Sequence, residues 1–247
     1  MINSIVYVSH DEGASIYESI TCSSFEIFGS ANILVLEAKN FSNTNTLLRP
    51  LMERYKIVVE TVEPLPFIEL HWVKLLEKND LGVTLLICAD EILKGSIEPK
   101  IAKQEWDTIR IQRANYIGDR ELIGGGWGRT QDYQTRIFRK LVKTNAEVEI
   151  HRLPFEQGKV IASSTLTFLH NSYESLSDFI SRFNRYTTLQ IVEANRVSVY
   201  KLLYRSIKHF FRRYIWQRGY RDGALGIVIC GLMGLYLATT YAKREEE

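Results

Sequence analysis

Two adjacent carboxylates, Asp90 and Glu91, follow directly after an apolar stretch that covers residues 83–87. Hard oxygen ligands at the end of a buried strand can hold a divalent cation together with the phosphates that the cation binds. The same pattern also occurs where an acidic residue caps the start of a helix, so both interpretations stay open. The pair therefore marks a candidate metal and phosphate site.

A second group of polar residues lies between residues 132 and 140. The alternation of a β-strand places Asp132, Gln134 and Arg136 on one face of this segment. Arg136 and Arg139 could each bind a phosphate with two hydrogen bonds, or could be solvated basic residues. This segment is a second candidate for contacts with an anionic ligand.

A glycine-rich loop and two isolated histidines complete the polar features of this region. The loop Gly124-Gly125-Gly126-Trp127-Gly128-Arg129 is not a P-loop, because no Gly-Lys-Ser or Gly-Lys-Thr follows it. It is either a mobile surface loop or a lid over a site. His151 and His170 each follow a short apolar segment, and a lone histidine of this kind is usually structural.

Apolar runs and helical segments alternate along the first 120 residues and would position these groups. This alternation predicts an α/β fold with a mostly parallel sheet flanked by helices. Ligands of such sheets bind at the carboxyl ends of the strands. The predicted strands cover residues 5–8, 33–36, 55–59 and 83–87, and the predicted helices cover 16–28, 45–54 and 67–78.

The composition indicates one large globular domain or two small ones. Of the 247 residues, 45% are hydrophobic and 24% are charged, which excludes wholesale disorder. A formal net charge of +2 argues against a surface devoted to nucleic acid. Cys22, Cys88 and Cys230 form no CxxC pair, as expected in a reducing compartment. The N-terminal residues lack a basic region, so we expect a first strand there and no signal peptide.

The C-terminal part joins a basic segment to a long uncharged one. Residues 223–242 carry no charge and, as a helix of about 30 Å, match the hydrocarbon thickness of a bilayer. Residues 201–221 contain seven Lys and Arg residues and no acidic residue, with apolar side chains at helical spacing. This pattern is typical of an amphipathic helix on an anionic membrane surface. A buried core helix and a nucleic-acid contact are the alternatives, but the two segments together favour membrane attachment.

The flanking charges and the glycines refine the membrane prediction. Basic residues before the apolar segment predict a catalytic body on the cytoplasmic face. Small residues at this spacing indicate close helix packing, a re-entrant segment or self-association into a homo-oligomer. The glycines are Gly223, Gly226, Gly231 and Gly234.

Taken in order, these motifs resemble the family 2 glycosyltransferases, in particular a bacterial membrane-associated branch similar to lipopolysaccharide-core and polyprenyl-linked sugar transferases. The family's Asp-Ala-Asp-Glu corresponds to Cys88-Ala89-Asp90-Glu91, and its Gln-x-Arg-Leu-Phe-Arg element to the segment 134–139. A Val-His-Glu motif is matched by Ile150-His151-Arg152, and a His-x-x-Tyr-x-Ser-Leu stretch by residues 170–176. The resemblance covers residues 83–243 well and the first 80 residues poorly.

The resemblance implies a GT-A fold and an inverting transfer from a nucleotide-sugar donor to a lipid-linked or glycolipid acceptor. Mg²⁺ or Mn²⁺ would be held by Asp90, with His151 as a second contributor, and would neutralise charge on the leaving nucleotide. Asp132 and Glu91 are the candidates for the base that deprotonates the acceptor. Three side chains would orient the diphosphate or an anionic acceptor, namely Gln134, Arg136 and Arg139.

The N-terminal half departs from the family pattern, so its donor-binding motifs are degenerate. Asp11 stands near the family's first-strand Asn-Glu, and Glu37 and Asn43 are nearest to two aspartates that bind the nucleotide base and ribose. Cys88 replaces the first aspartate of the metal motif, and a thiol is a poor ligand for Mg²⁺. An altered donor preference, a weaker metal site and an inactive homologue are therefore all open.

Two functions from different classes follow from these observations. The first is a membrane-associated inverting glycosyltransferase, and the second is a catalytically inactive glycosyltransferase-like subunit that acts as a membrane scaffold or binds a partner. Convergence of Asp11, Glu37 and Asn43 with Asp90 in one cleft would favour the enzyme. The predicted organisation is a GT-A-like domain at 1–170, a connecting helix at 171–200, a basic interfacial helix at 201–222, and a transmembrane or re-entrant segment at 223–242.

Overall fold

The chain divides into two structural units, and each is discontinuous in sequence. The first unit comprises Met1–Gln112 and Tyr133–Leu169, and the second comprises Arg113–Asp132 and His170–Glu247. The computed structural model describes residues 2–9, 13–38, 43–65, 68–78, 81–144, 154–190 and 198–246.

Four parallel strands form one half of the sheet in the first unit. They are β1 (Ser4–Ser9), β2 (Asn32–Ala38), β3 (Ile57–Val62) and β4 (Thr84–Cys88), in the spatial order β3-β2-β1-β4. Runs of Val, Ile and Leu suit strands that are covered on both faces, and every residue of β1 is buried. The predicted α/β fold class is confirmed.

The other half of the sheet contains antiparallel pairs. β8 (Tyr133–Phe138) pairs antiparallel with β4 on one side and with β6 (Thr108–Ile117) on the other. β9 (Val160–Tyr173) follows β6, and β5 (Glu91–Lys94) forms the outer edge. The acidic motif Cys88-Ala89-Asp90-Glu91 therefore joins the last parallel strand, β4, to β5 at the outer edge of the other half.

Two apolar cores cover the faces of this sheet. Along β1, Ile5 and Tyr7 enter one core while Val6 and Val8 enter the other, as the alternation of a strand requires. Ile16 and Ile20 are one helical turn apart, and both are fully buried in the first core. The helices of this unit are α1 (Gly13–Cys22), α2 (Thr44–Leu48), α3 (Ile68–Val73) and α4 (Pro99–Ala102).

Helices dominate the second unit. The Ser175 hydroxyl accepts a hydrogen bond from the amide of Asp178 at 3.2 Å, which satisfies an N-terminal donor of the helix that begins there. The last helix is long and apolar enough to cross a membrane by length and composition, with 28% of its most apolar window buried. The elements are β7 (Arg120–Glu121), α5 (Leu176–Leu189), α6 (Val199–Phe211), a π-helical turn (Arg212–Trp216), a 3₁₀ turn (Gly219–Asp222) and α7 (Gly223–Glu246).

Glu98, directly before α4, is a buried carboxylate that is fully hydrogen-bonded. It accepts bonds from the Ser163 hydroxyl at 2.8 Å and from the amide and hydroxyl of Ser164, both at 2.6 Å. Burial raises the pKa of Glu98, but these donors outweigh burial and lower the pKa to about 2. Glu98 therefore links the start of α4 to β9 in its ionised form.

We expect Glu98→Gln to destabilise the protein at pH 7 by on the order of 2 kcal/mol, because hydrogen bonds to a charged acceptor are lost. The ordinary pKa of 4.5 lies above the folded value, so this stabilisation is complete above pH 4.5 and is lost as the pH falls toward 2. Urea denaturation of both proteins across this range measures the difference. A difference that stays constant with pH would contradict the assignment.

Candidate functional site

The carboxyl ends of β1, β2 and β4 meet at one edge of the parallel half-sheet. The register pairs Ser9 with Glu37 and Val8 with Cys88, so the last residues of the three strands lie side by side. This edge is where open α/β sheets bind their ligands. The predicted site residues Glu37, Asp90 and Glu91 lie on these strand ends or directly after them.

Glu37 presents a buried carboxylate at this edge. The residue is 5% exposed, and its Oε1 atom has no hydrogen-bond partner among the residues that the structure describes. In register, Glu37 lies between Ser9 on β1 and Thr61 on β3. A buried acceptor without a donor is costly, so an N–H or O–H group of a ligand would be stabilised here.

Glu91 and Arg136 form a buried ion pair beside the turn that ends β4. Arg136 Nη2 donates to Glu91 Oε1 at 3.1 Å, and the two side chains are 6% and 0% exposed. Glu91 Oε2 accepts the amide of Cys88 at 3.0 Å. The Arg136 guanidinium also lies 3.5 Å from Cys88 Sγ and 5.2 Å from the centre of the Trp72 ring. These contacts tie β8 to the turn Cys88-Ala89-Asp90.

The electrostatics of this pair keep the Arg136 guanidinium protonated. Burial lowers the pKa of Arg136, but the charges of Glu91 and Cys88 raise it by more, so the pKa lies above its ordinary range. Both oxygens of Glu91, one of the two predicted bases, accept hydrogen bonds inside the protein. In this arrangement Glu91 positions the turn that carries Asp90.

The donor atoms at this edge do not complete a metal site. Among the described residues no three His, Cys, Asp or Glu side chains cluster at metal-binding distances. Asp90 offers hard oxygen ligands, whereas Cys88 offers sulfur and Glu91 is engaged by Arg136. His151, the second predicted ligand, lies outside the described residues.

The other predicted donor-site residues lie in different places. Gln134 lies on β8, two residues before Arg136. Asn43 is exposed at the start of α2.

Arg139 follows Phe138, which pairs with Thr84 at the amino end of β4, so Arg139 lies toward the opposite edge from Asp90. Its Nε donates to the Trp106 carbonyl at 2.7 Å, and its guanidinium stacks on that ring. Asp11 lies outside the described residues.

Asp132 belongs to the second unit and ends a chain of hydrogen bonds there. Its Oδ2 atom accepts from Arg113 Nε at 2.9 Å and from Asn115 Nδ2 at 2.8 Å. Asn115 Oδ1 lies 2.7 Å from His170 Nδ1 and 3.1 Å from Ser172 Oγ. The chain fixes the orientation of the Asp132 carboxylate and joins it to a second titratable group.

The glycine-rich loop is fixed within the second unit. The carboxylate of Asp222 accepts the amides of Ile123 and Gly124, each at 2.9 Å. Arg213 donates to the carbonyl of Gly125 at 2.6 Å, and Gly124 and Gly125 are buried. These contacts favour a structural loop over the mobile loop or the lid that the sequence allowed.

Three residues of these networks were not identified from the sequence. Arg113 and Asn115 lie on β6, and this strand was not predicted because polar residues interrupt its apolar pattern. Asp222 carried a usable signal, because it is the first acidic residue after the basic segment 201–221 and directly precedes the uncharged run.

Comparisons with known proteins bear on the fold. No protein-family model and no curated protein sequence matches the chain. The mannosyltransferase PcManGT from Pyrobaculum calidifontis, solved with GDP-Man and Mn²⁺, matches with a TM-score of 0.53 at 7% identity, over 99% of this chain and 87% of that one. TarS from S. aureus matches with a TM-score of 0.44 at 10% identity over 91% of this chain, which spans 46% of the TarS chain. The match to PcManGT supports the predicted GT-A-like fold.

We expect Arg136→Met and Glu91→Gln each to destabilise the protein by about 3–5 kcal/mol, because each leaves a buried polar group without its partner. The double variant should cost less than the sum of the two. The exposed pair Arg54–Glu26 supplies the control, and Arg54→Met should cost less than about 1 kcal/mol. Urea denaturation measures the four variants against the unsubstituted protein, and a single-variant cost as small as the control's would contradict the role of the pair.

Gly124→Ala should destabilise the second unit by about 1–3 kcal/mol, because the new Cβ atom overpacks the loop. That atom would clash with the carbonyl oxygen of Arg218. Gly231→Ala is the matched control, since nothing lies within 4 Å of its Cβ position and alanine is the better helix former. Thermal unfolding of both variants measures the effect, and equal behaviour would rule out a fixed loop.

Proposed function

We propose that this chain is an inverting glycosyltransferase that uses a nucleotide-sugar donor and acts on a lipid-linked or glycolipid acceptor at a membrane. The observation that carries the proposal is the buried carboxylate of Glu37, whose Oε1 atom has no hydrogen-bond partner within the described part of the chain. It lies at the carboxyl end of β2, at the ligand-binding edge of a GT-A-like sheet.

The donor is proposed to lie across the ends of β1, β2 and β4. Glu37 accepts a hydrogen bond from the nucleotide base or from a ribose hydroxyl, and Asp11 and Asn43 are proposed to contact the same nucleoside. The Glu91–Arg136 pair holds the Asp90 turn beside the diphosphate. Gln134 is proposed as a further polar contact, and Arg139 takes no part because it is bound at Trp106.

The transfer is proposed to occur in one displacement. The bond between the anomeric carbon and the phosphate oxygen breaks, and its electron pair leaves with the nucleoside diphosphate. The acceptor oxygen forms its bond on the opposite face of the same carbon, and its proton passes to a base. Asp132 is the proposed base, oriented by Arg113 and Asn115.

The predicted Mg²⁺ or Mn²⁺ would neutralise charge on the leaving diphosphate when bound. Its proposed ligands are Asp90 and His151, and the described donor atoms alone are too few to hold it. The proposed displacement therefore uses protein groups only. Titration of a nucleoside diphosphate with and without Mn²⁺ measures how much the metal contributes to the affinity.

Attachment to a membrane is proposed to occur through the second unit. α6 exposes Tyr200, Leu203 and Tyr204, which are 85%, 59% and 63% accessible. Trp216 in the π-helical turn is 74% exposed. Aromatic and basic side chains together are typical of a helix at a lipid headgroup interface. The basic residues support a cytoplasmic location for the body.

A second candidate function is a catalytically inactive glycosyltransferase-like subunit that binds a membrane partner. The observation that favours it is the acidic motif, in which Cys88 replaces a carboxylate and Glu91 is engaged by Arg136. A chain of this kind would keep the fold and the membrane helices and would bind no donor.

We expect the full chain in detergent to bind a nucleoside diphosphate, and Glu37→Gln to weaken this binding at least about tenfold, because a charged acceptor is replaced by an amide. Isothermal titration with UDP, GDP and dTDP, each with and without Mn²⁺, measures the affinity and the contribution of the metal.

Glu18→Gln, an exposed substitution on α1, is the matched control and should leave the affinity unchanged. Loss of binding in Glu37→Gln alone supports the donor site. Folded protein that binds none of the nucleotides under any condition overturns the enzyme in favour of the inactive subunit.

A further inference from the structure

α7 packs closely along α6 at its midpoint. A Cβ atom at Gly234 would lie 3.0 Å from the carbonyl oxygen of Ser206 and 3.1 Å from Phe210 Cβ. Leu202 and Ser206, one turn apart on α6, are buried. The close approach means that α6 must accompany α7 into any membrane that α7 enters.

The C-terminal half of α7 also packs against α5. The rings of Phe183 and Tyr236 meet edge to face, with centroids 5.5 Å apart. The ammonium of Lys243 donates to the Asn184 side chain at 2.7 Å and to the Thr187 hydroxyl at 2.8 Å. α5 therefore holds the end of α7 through polar contacts that water or protein, but not hydrocarbon, can surround.

α6, which packs beside the midpoint of α7, carries cations where the centre of a bilayer would be if α7 crossed it. Ser206 touches the middle of α7, and the exposed cations of α6 flank Ser206 on both sides. If α7 crossed the bilayer, these cations would enter hydrocarbon without acidic partners on the same segment, at a large cost in free energy. The exposed cations of α6 and the following turn are Lys201, Arg205, Lys208 and Arg212.

The same helices suit one leaflet of an anionic bilayer. On α6 the exposed apolar side chains recur every three to four residues, and α7 exposes Ile227, Val228 and Leu235. Long basic side chains can reach headgroup phosphates from such a surface. Residues 201–221 contain no acidic side chain, so the charge of this segment complements anionic lipid. The exposed apolar residues of α6 are Val199, Tyr200, Leu203, Tyr204, Ile207 and Phe211.

We infer that α7 does not cross the bilayer but lies along one anionic leaflet together with α6. The C-terminus then stays on the same side of the membrane as the rest of the second unit. This inference rests on the membrane attachment proposed above and specifies its geometry. Two glycines of α7 then serve packing inside the chain, Gly226 against the carbonyl of Gly219 and Gly234 against α6.

Accessibility of introduced thiols tests this geometry in the full chain. Asp119→Cys reports on the turn after β6 and Glu246→Cys on the end of α7, and both positions are exposed. Each is placed in a Cys22→Ser background, and the background alone measures labelling of Cys88 and Cys230. Sealed inside-out and right-side-out vesicles from expressing cells are labelled with a membrane-impermeant maleimide, before and after detergent.

We expect both introduced thiols to be labelled without detergent in the same vesicle orientation. Labelling of the two sites in opposite orientations would overturn the inference while leaving membrane attachment intact. Recovery of the whole chain in the soluble fraction would overturn the attachment itself, and donor binding is measured separately.

Binding to vesicles tests whether anionic lipid covers the exposed apolar side chains of α6. The full chain should sediment with phosphatidylglycerol vesicles, and Leu203→Glu with Ile207→Glu should weaken this binding at least about tenfold. Val58→Glu, at an equally exposed apolar position on β3, is the matched control and should bind as before. A double variant that binds vesicles normally but loses a dimer in ultracentrifugation would overturn the inference in favour of a second copy of the chain.

Discussion

The buried ion pair between Glu91 and Arg136 is the constraint on which the candidate site depends. Taking two charges out of water is costly unless each satisfies the other, and here the second oxygen of Glu91 also binds the Cys88 amide. The pair fixes the chain at the point where it leaves the parallel half-sheet. The Asp90 turn is therefore held at the same edge of the sheet as Glu37, where we propose that the ligand binds.

Hydrogen bonds between buried or partly buried polar groups also hold the second unit together. Asp222 satisfies two loop amides, and Lys243 satisfies acceptors near the end of α5. These contacts hold the turn before α7 to the glycine-rich loop and the end of α7 to α5. α7 is apolar enough to cross a membrane by length and composition, yet it packs beside the cations of α6. We propose its position along one leaflet from these neighbours.

The sequence predicted the parallel part of the fold, because apolar runs identify strands that are covered on both faces, and the site that we propose lies at the carboxyl edge of those strands. It missed β6, since Arg110, Gln112 and Arg113 interrupt the apolar pattern there. The sequence also could not predict which side chains pair across the fold. Glu91 and Arg136 are 45 residues apart, and nothing local indicates that the two predicted site residues would neutralise each other. The place of Arg139 at Trp106 depends likewise on the antiparallel register of β8.

The central claim is that a nucleotide lies across the ends of β1, β2 and β4, beside Glu37. A crystal structure of the full chain with a nucleoside diphosphate tests it most directly. We predict electron density for the base or ribose within hydrogen-bond distance of Glu37 Oε1, and for the diphosphate beside the Asp90 turn. Density for the nucleotide at any other place, or a Glu37 carboxylate satisfied by the protein alone, would contradict the account.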